Sequence, residues 1–504
     1  MLSISWRSCA LLAAACLIAA TPAFSDAGPA TTALTPAGAR EDLELAIAAV
    51  EAAMPNIYWH QSRREWAAGK VDARARIGSV ADSEALWRLL RPLLGRIGEG
   101  HLGVHLSDAM SQRYRDAPRF PLDLLWTEQG AFVLAGYGPA ADIAKGARLV
   151  SIDGTSEAEL LREMVAVTPH DGVIRTGTMR DISGRGFAAM LYRQRGAQAS
   201  FHVVLDGPAG RIERDLVAVP RLARPPESGD PPPLPKLEWL DEKTAYLNLP
   251  TFSNARLREV GATFPEAINQ VFKELAQRGA EDLILDLRQN GGGSEPNESV
   301  VFSYLVDKPL RKYAAVEARS RHVAVTSLSG KRFETDVFDA DDKDQQRPIH
   351  DGRWTRRNTP PHGLMSRWTS FSPVFKGRLV VLVGGSTFSG GAELASMLRH
   401  TNRGVFVGEE VGGADEGNTS GYRWDLELPN SRMKVSIPLL QFRMAWIDPL
   451  HGRGVQPDCP APPEVMDTTE QRDHAWQLAR ALLRQRWRQP QEATCEPHTV
   501  HAES

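Results

Sequence analysis

Beyond residue 236, short and nearly continuous apolar runs alternate with amphipathic stretches: TAYLNL, FPEAINQVFKELAQRG, LILDL, ESVVFSYLV, RLVVLVGG, GGAELASMLRH and GVFVGEE follow in that order. Strands without polar alternation are those buried on both faces, which calls for helices on either side of a mostly parallel sheet. An α/β core is therefore expected over residues 237–462. Residues 308–375, polar and rich in Arg, Asp and Pro, interrupt the alternation and read as a surface insertion with solvated charges.

With 504 residues the chain has room for about three domains. Over residues 40–116 the apolar positions recur at helical spacing, with Leu86, Leu89, Leu90, Leu93 and Leu94 able to share one face, so a helical N-terminal domain is expected. Over 117–222 the pattern changes to short alternating stretches (FVLAGY, ARLVSIDG, ASFHVVLDG, IERDLVAV) between Gly-containing turns, which read as a β-rich domain. Within it GARLVSIDG resembles a turn of PDZ domains. A Pro-rich linker, residues 223–236, separates this domain from the core. Residues 463–504 form a C-terminal helix and tail, with Asp467 and Glu470 spaced like a capping box.

Residues 1–25 run from Arg7 through the apolar CALLAAACLIAA to the small-residue segment TPAFS, the pattern of a secretory signal peptide, with cleavage after Ala23 or Ser25. A lipoprotein anchored at Cys16 is the alternative, although LIAA after it stays apolar. The expected location is periplasmic or secreted. Removal of the leader takes Cys9 and Cys16 and leaves Cys459 and Cys495, which an oxidising compartment would join in a disulfide, the alternative being two free thiols. No later segment is apolar enough to span a membrane. With 59 Lys and Arg against 62 Asp and Glu, the net charge of −3 gives no sign of the basic face that a nucleic-acid partner requires.

Chemistry concentrates at two glycine clusters. In GRLVVLVGGSTFSGGAELASMLRH, residues 377–400, an apolar strand ends at Gly384 and Gly385 and a helix opens near Ser389. A serine at a helix N-terminus can attack a carbonyl while the amide of Gly390 faces the developing oxyanion; the plainer reading is a helix N-cap. In LILDLRQNGGGSEPN, residues 283–297, Gly291, Gly292 and Gly293 let backbone approach a ligand, and Gly292 could supply a second oxyanion amide; the plainer reading is a flexible turn. No Lys-Ser or Lys-Thr follows, so this is no phosphate loop.

Taken together, LILDLRQNGGG, VLVGGSTFSGGAEL, GVFVGEEVGG, RWDLELPNSRMKVSIPL and HGRGVQPD resemble the tail-specific, or C-terminal processing, serine peptidase family. The resemblance implies a ClpP/crotonase-like core, a PDZ-like domain and a helical N-terminal region, with Ser389 on the nucleophile position. In the Ser-Lys branch the base lies about 25 residues downstream, where this chain has Ala414, and the nearest later lysine is Lys434 in an expected strand. The tricorn-like Ser-His branch takes a histidine from a D-G-H-T turn near the N-terminus. GEGHLGVHL places His101 there, with Glu99 and Leu102 substituted on either side and His105 as second choice. That branch also expects a glutamate where this chain has His451; Asp448, Glu410 or His451 itself are the candidates to orient the base instead.

The expected activity is an exported serine endopeptidase acting on protein or peptide substrates, with Ser389 as nucleophile, His101 as base, Gly390 and Gly292 at the oxyanion, and no metal or cofactor required. The alternative is a non-hydrolytic peptide-binding or scaffold protein on the same fold.

Overall fold

The computed structural model describes residues 33–220, 234–338, 346–357, 363–446, 448–465, 467 and 472–495. The expected leader, with Cys16, most of the Pro-rich linker and Glu470 lie outside these residues. Among the described residues no helix is long and apolar enough to cross a membrane.

The architecture is mixed α/β. Its central sheet has the order Cys459–Pro460, Val405–Gly408, Arg378–Val383, Asp282–Asp286, Thr244–Asn248, Lys236–Trp239, parallel except at the last pair. Side chains alternate between its two faces. Leu283, Leu285, Leu379, Val381 and Val383 point into the main core with Phe272, Phe302 and Leu394 from three helices, whereas Ile284, Val380, Leu382, Val405 and Val407 meet Leu478, Ala479 and Leu482 of the C-terminal helix. Both faces are covered, which is why these strands carry no polar alternation. The last helix runs His474–Arg484 and is capped by Asp473, not opened at Asp467 as the spacing suggested. Asp467 instead accepts hydrogen bonds from the Glu464 and His474 amides. A disulfide joins Cys459, on the sheet edge, to Cys495 across 36 residues.

A second sheet is built on the antiparallel pair Gly417–Glu427 and Lys434–Met444. The other edge of Lys434–Met444 receives Gly103–His105, with Gly103 opposite Ser436 and His105 opposite Lys434, and then Tyr313–Ala318. Trp354–Arg356 and Gln346–Pro348 complete it. Residues 308–375 are thus more than a surface insertion. Tyr313 and Val316 are buried at 0% and 1% exposure, and their strand extends the sheet.

The N-terminal region holds helices Pro36–Ala53, Arg63–Arg76 and Ser83–Gly95, each opened by a side-chain cap: Thr35, the Ser62/Glu65 box and Asp82. Their apolar faces, including Leu43, Trp66, Leu86 and Leu90, share one cluster with the α/β core. Buried Asp42 fastens the first helix to the hairpin turn by accepting from the Asn430 amide (3.1 Å), the Asn430 side chain (2.9 Å) and the Ser431 amide (2.7 Å).

Between these parts lies a third sheet, Leu122–Thr127, Gly130–Gly136, Arg148–Ile152, Ser200–Gly207 and Gly210–Val217, with Thr155–Ser156 beside it. The region is less purely β than its alternating stretches suggested. Helices Glu157–Val167, Thr176–Ile182 and Gly186–Arg195 pack on it through Leu160, Met164, Ile182 and Phe187.

Candidate active site

Arg378–Val383 and Asp282–Asp286 are adjacent parallel strands, so the two glycine-rich loops leave the same end of the sheet side by side. Ligand sites in open α/β sheets lie at that end. The loops are stitched together. Thr387, fully buried, donates to the Leu287 carbonyl and accepts from the Gly384 amide, and the Phe388 amide donates to the Asn290 carbonyl. Asn290 in turn donates to the Leu249 carbonyl.

This frame forces Ser389 into φ 52°, ψ −126° at the start of helix Gly390–His400, where it makes no capping hydrogen bond. A plain N-cap serine has extended backbone and accepts from an amide of the first turn. A non-glycine residue here costs about 1 to 3 kcal/mol, and such strain gathers at functional sites. The hydroxyl thus stands uncommitted beside the positive end of a helix. Gly292, at φ 91°, is where close approach matters: a Cβ on it would fall 2.7 Å from Ser389 Cβ and 2.8 Å from the Gly390 nitrogen.

The GEGH turn lies against this corner from the N-terminal side. A Cβ on Gly100 would fall 2.5 Å from Phe388 Cζ, and the His101 ring packs on the Phe388 ring at 4.8 Å between centroids. His101 Nδ1 lies 3.2 Å from Glu99 Oε1, while Glu99 Oε2 accepts from the Thr419 amide at 2.8 Å. Asp171 accepts from the Gly100 and Ala414 amides at 2.7 and 3.2 Å and ties the turn to the core. Burial on its own would lower the His101 pKa. The Glu99 hydrogen bond and the charges of Glu99, Asp171 and Glu393 outweigh it and raise the imidazole above its ordinary value. Burial, together with the Glu99 charge, pushes Asp171 up to about 7. The acceptor groups of Glu99, His101 and Asp171 lie within 4.8 Å of one another. Their backbone amide donors make this an oriented imidazole rather than an ion cage.

A strained, uncapped serine at a helix mouth, with a carboxylate-held histidine packed on the ring of the residue before it, is the equipment of acyl transfer. Residues 243–461 match peptidase family S41. Among solved structures the fold is similar to mature CPAF (14% identity, 88% of this chain and 97% of that chain covered, TM-score 0.61). It is similar too to mature CPAF complexed with lactacystin (15% identity, 86% and 96% covered, TM-score 0.60). A photosystem II D1 C-terminal processing protease also matches (18% identity, 89% and 98% covered, TM-score 0.39). No curated protein matches the chain. The family match supports a serine-type peptidase with protein or peptide substrates, and the CPAF structures share the fold.

The other expected residues take different places. The Gly292 amide, expected at the oxyanion, donates to Asn290 Oδ1 at 2.9 Å, and the residue packs closely against Ser389. Glu410 pairs with Arg453 and accepts from the Gly454 amide. Asp448 is exposed. His451 turns to Glu416, with Nδ1 at 2.5 Å from Oε2. His105 lies exposed in its strand opposite Lys434, while His101 sits in the turn before it, so the two share no strand face. A lysine does lie against helix Gly390–His400. Lys312 is buried between Glu298 (2.5 Å), Glu393 (2.6 Å) and Glu295 (3.0 Å). Burial would lower its pKa, but the three carboxylates overcome that and hold it well above the usual lysine range. Sequence reasoning missed Glu99 as the carboxylate that meets His101. The signal lies two residues before the histidine, at a position that in the sequence shows only as a substitution.

Proposed function

We propose that this chain is an exported serine endopeptidase of the Ser-His type. Ser389 Oγ attacks the scissile carbonyl as His101 Nε2 takes its proton, Glu99 holds Nδ1, and the Gly390 amide with its helix dipole stabilises the oxyanion. The imidazolium then protonates the leaving amine, and water activated by the same ring hydrolyses the ester to release the acid and restore the serine. In this reading the core is ClpP/crotonase-like, the apolar leader directs the chain to a periplasmic or secreted location, and a PDZ-like 117–222 domain captures an extended peptide by strand addition.

The observation that carries the reading is the uncapped, left-handed backbone at Ser389. A fluorophosphonate probe on purified protein tests it. Labelling is expected on Ser389 and absent in Ser389→Ala, whose far-UV circular dichroism matches the wild type. An unlabelled, folded wild-type chain would favour a peptide-binding protein without hydrolysis, and labelling that persists in Ser389→Ala would place the nucleophile elsewhere.

A further inference from the structure

A second group of ligating side chains lies outside the machinery just described. Glu416 sits just before the Gly417–Glu427 strand, buried at 8% exposure. Its Oε1 accepts from the Gly452 amide at 2.9 Å and lies 3.5 Å from His60 Nδ1, and its Oε2 lies 2.5 Å from His451 Nδ1. The His60 side chain is 5% exposed, and its Nδ1 has no hydrogen-bond partner among the described residues. A buried ring nitrogen left unpaired is costly, so the orphan points to something missing.

The geometry suits an ion. At 3.5 Å the His60 to Glu416 separation is long for a hydrogen bond but near the roughly 3.3 Å between two ligands on a tetrahedral centre with bonds of about 2.0 to 2.1 Å. All three ligand atoms lie within 4.8 Å of one another. His451, with a side chain 66% exposed, can turn from Glu416 onto a shared ion without disturbing the core. Two imidazoles and one carboxylate suit zinc and its neighbours in the transition series rather than calcium or magnesium, which prefer oxygen.

We infer that His60, Glu416 and His451 form a divalent transition-metal site of the zinc class, open to solvent at its fourth position. The site joins the segment after the first N-terminal helix, the core and the 450–452 loop. It adjoins the base-bearing turn, because a Cβ on Gly98 would fall 3.0 Å from His60 Cβ, and the Gly172 amide donates to the Gly98 carbonyl. An ion there would brace the turn without touching Ser389 or His101.

The test is calorimetric titration of chelator-stripped full-length protein with zinc alone, paired with thermal unfolding. One zinc per chain and a raised unfolding temperature are expected. His60→Gln and His451→Asn should each weaken binding roughly 100-fold or more, since even the outer partners of metal ligands are worth about 10- to 100-fold. His101→Ala should bind like wild type. Exposed His451 guards against a His60 variant that fails to fold. Absence of binding in the wild type, binding undiminished in folded His451→Asn, or loss of binding in His101→Ala would overturn the assignment.

Discussion

At the scale of single residues the proposed mechanism turns on the charge Glu99 puts on His101. A general base must be neutral, and this imidazole is held above its ordinary value of 6.5. Peptidase activity is therefore expected to fall as pH drops through a point above 6.5, and Glu99→Gln should move that acid limb to lower pH. The same substitution removes the partner that fixes the ring and stabilises the imidazolium, so kcat should fall by roughly 100-fold or more. A pH profile of kcat for both proteins checks the two effects, and an unmoved limb would remove Glu99 from the role. Lys312 gives the converse expectation. In the proposed mechanism its ammonium neutralises buried carboxylates and takes no proton from Ser389, so Lys312→Met should destabilise the fold by about 3 to 5 kcal/mol through uncompensated buried charge. Urea unfolding measures this. A Lys312→Met protein of wild-type stability but no activity would instead make the lysine the base.

At the scale of elements, what could be read in advance follows from how local each signal is. The central strands announced themselves because burial on both faces leaves LILDL and RLVVLV apolar throughout, and the turn after RLVVLV had to place Ser389 at a helix mouth. Gly103–His105 carried no such mark. Three residues acquire strand character only because Lys434–Met444 lies open beside them, and that pairing belongs to the fold rather than to the segment. The 308–375 strands were masked by exposed polar faces, with Tyr313 and Val316 the few apolar clues. In Glu157–Val167 the helical spacing of Leu160, Met164 and Val167 was present but hidden among neighbours that alternate as strands. The partner of His101 depended on a side-chain direction, which no pattern of residue types encodes. Asp42 is another contact of this kind. Asp42→Ala would orphan the Asn430 and Ser431 amides, and the loss of charge-assisted bonds at a buried position should cost about 3 kcal/mol. A lowered urea midpoint is the expected result; an unchanged one would mean that the hairpin turn is held by its own strands.

At the scale of the molecule, the disulfide and the split site have different consequences. The bond from Cys459 to Cys495 closes 36 residues around the C-terminal helix, worth about 3 to 4 kcal/mol in the chain-entropy model. Cys495→Ser should lower stability by that amount while leaving the folded protein active, since Cys459 belongs to the cluster under the C-terminal helix and the helix after Ser389 to the main core. Thiol counting of denatured, unreduced wild type should find no free thiol between them.

The strand Gly103–His105 pairs with residues 434–436, and the turn just before it rests on the Thr419 amide and the Phe388 ring. The ribosome releases these pieces hundreds of residues apart, base first and docking edge last. In the proposed mechanism, a nascent chain halted before residue 434 carries His101 without the edge its neighbouring strand docks on, and from residue 389 onward Ser389 without a seated base. On that reading cutting power arrives only once residues 434–436 have been made, a safeguard written into chain order that asks for no separate inhibitor before that point.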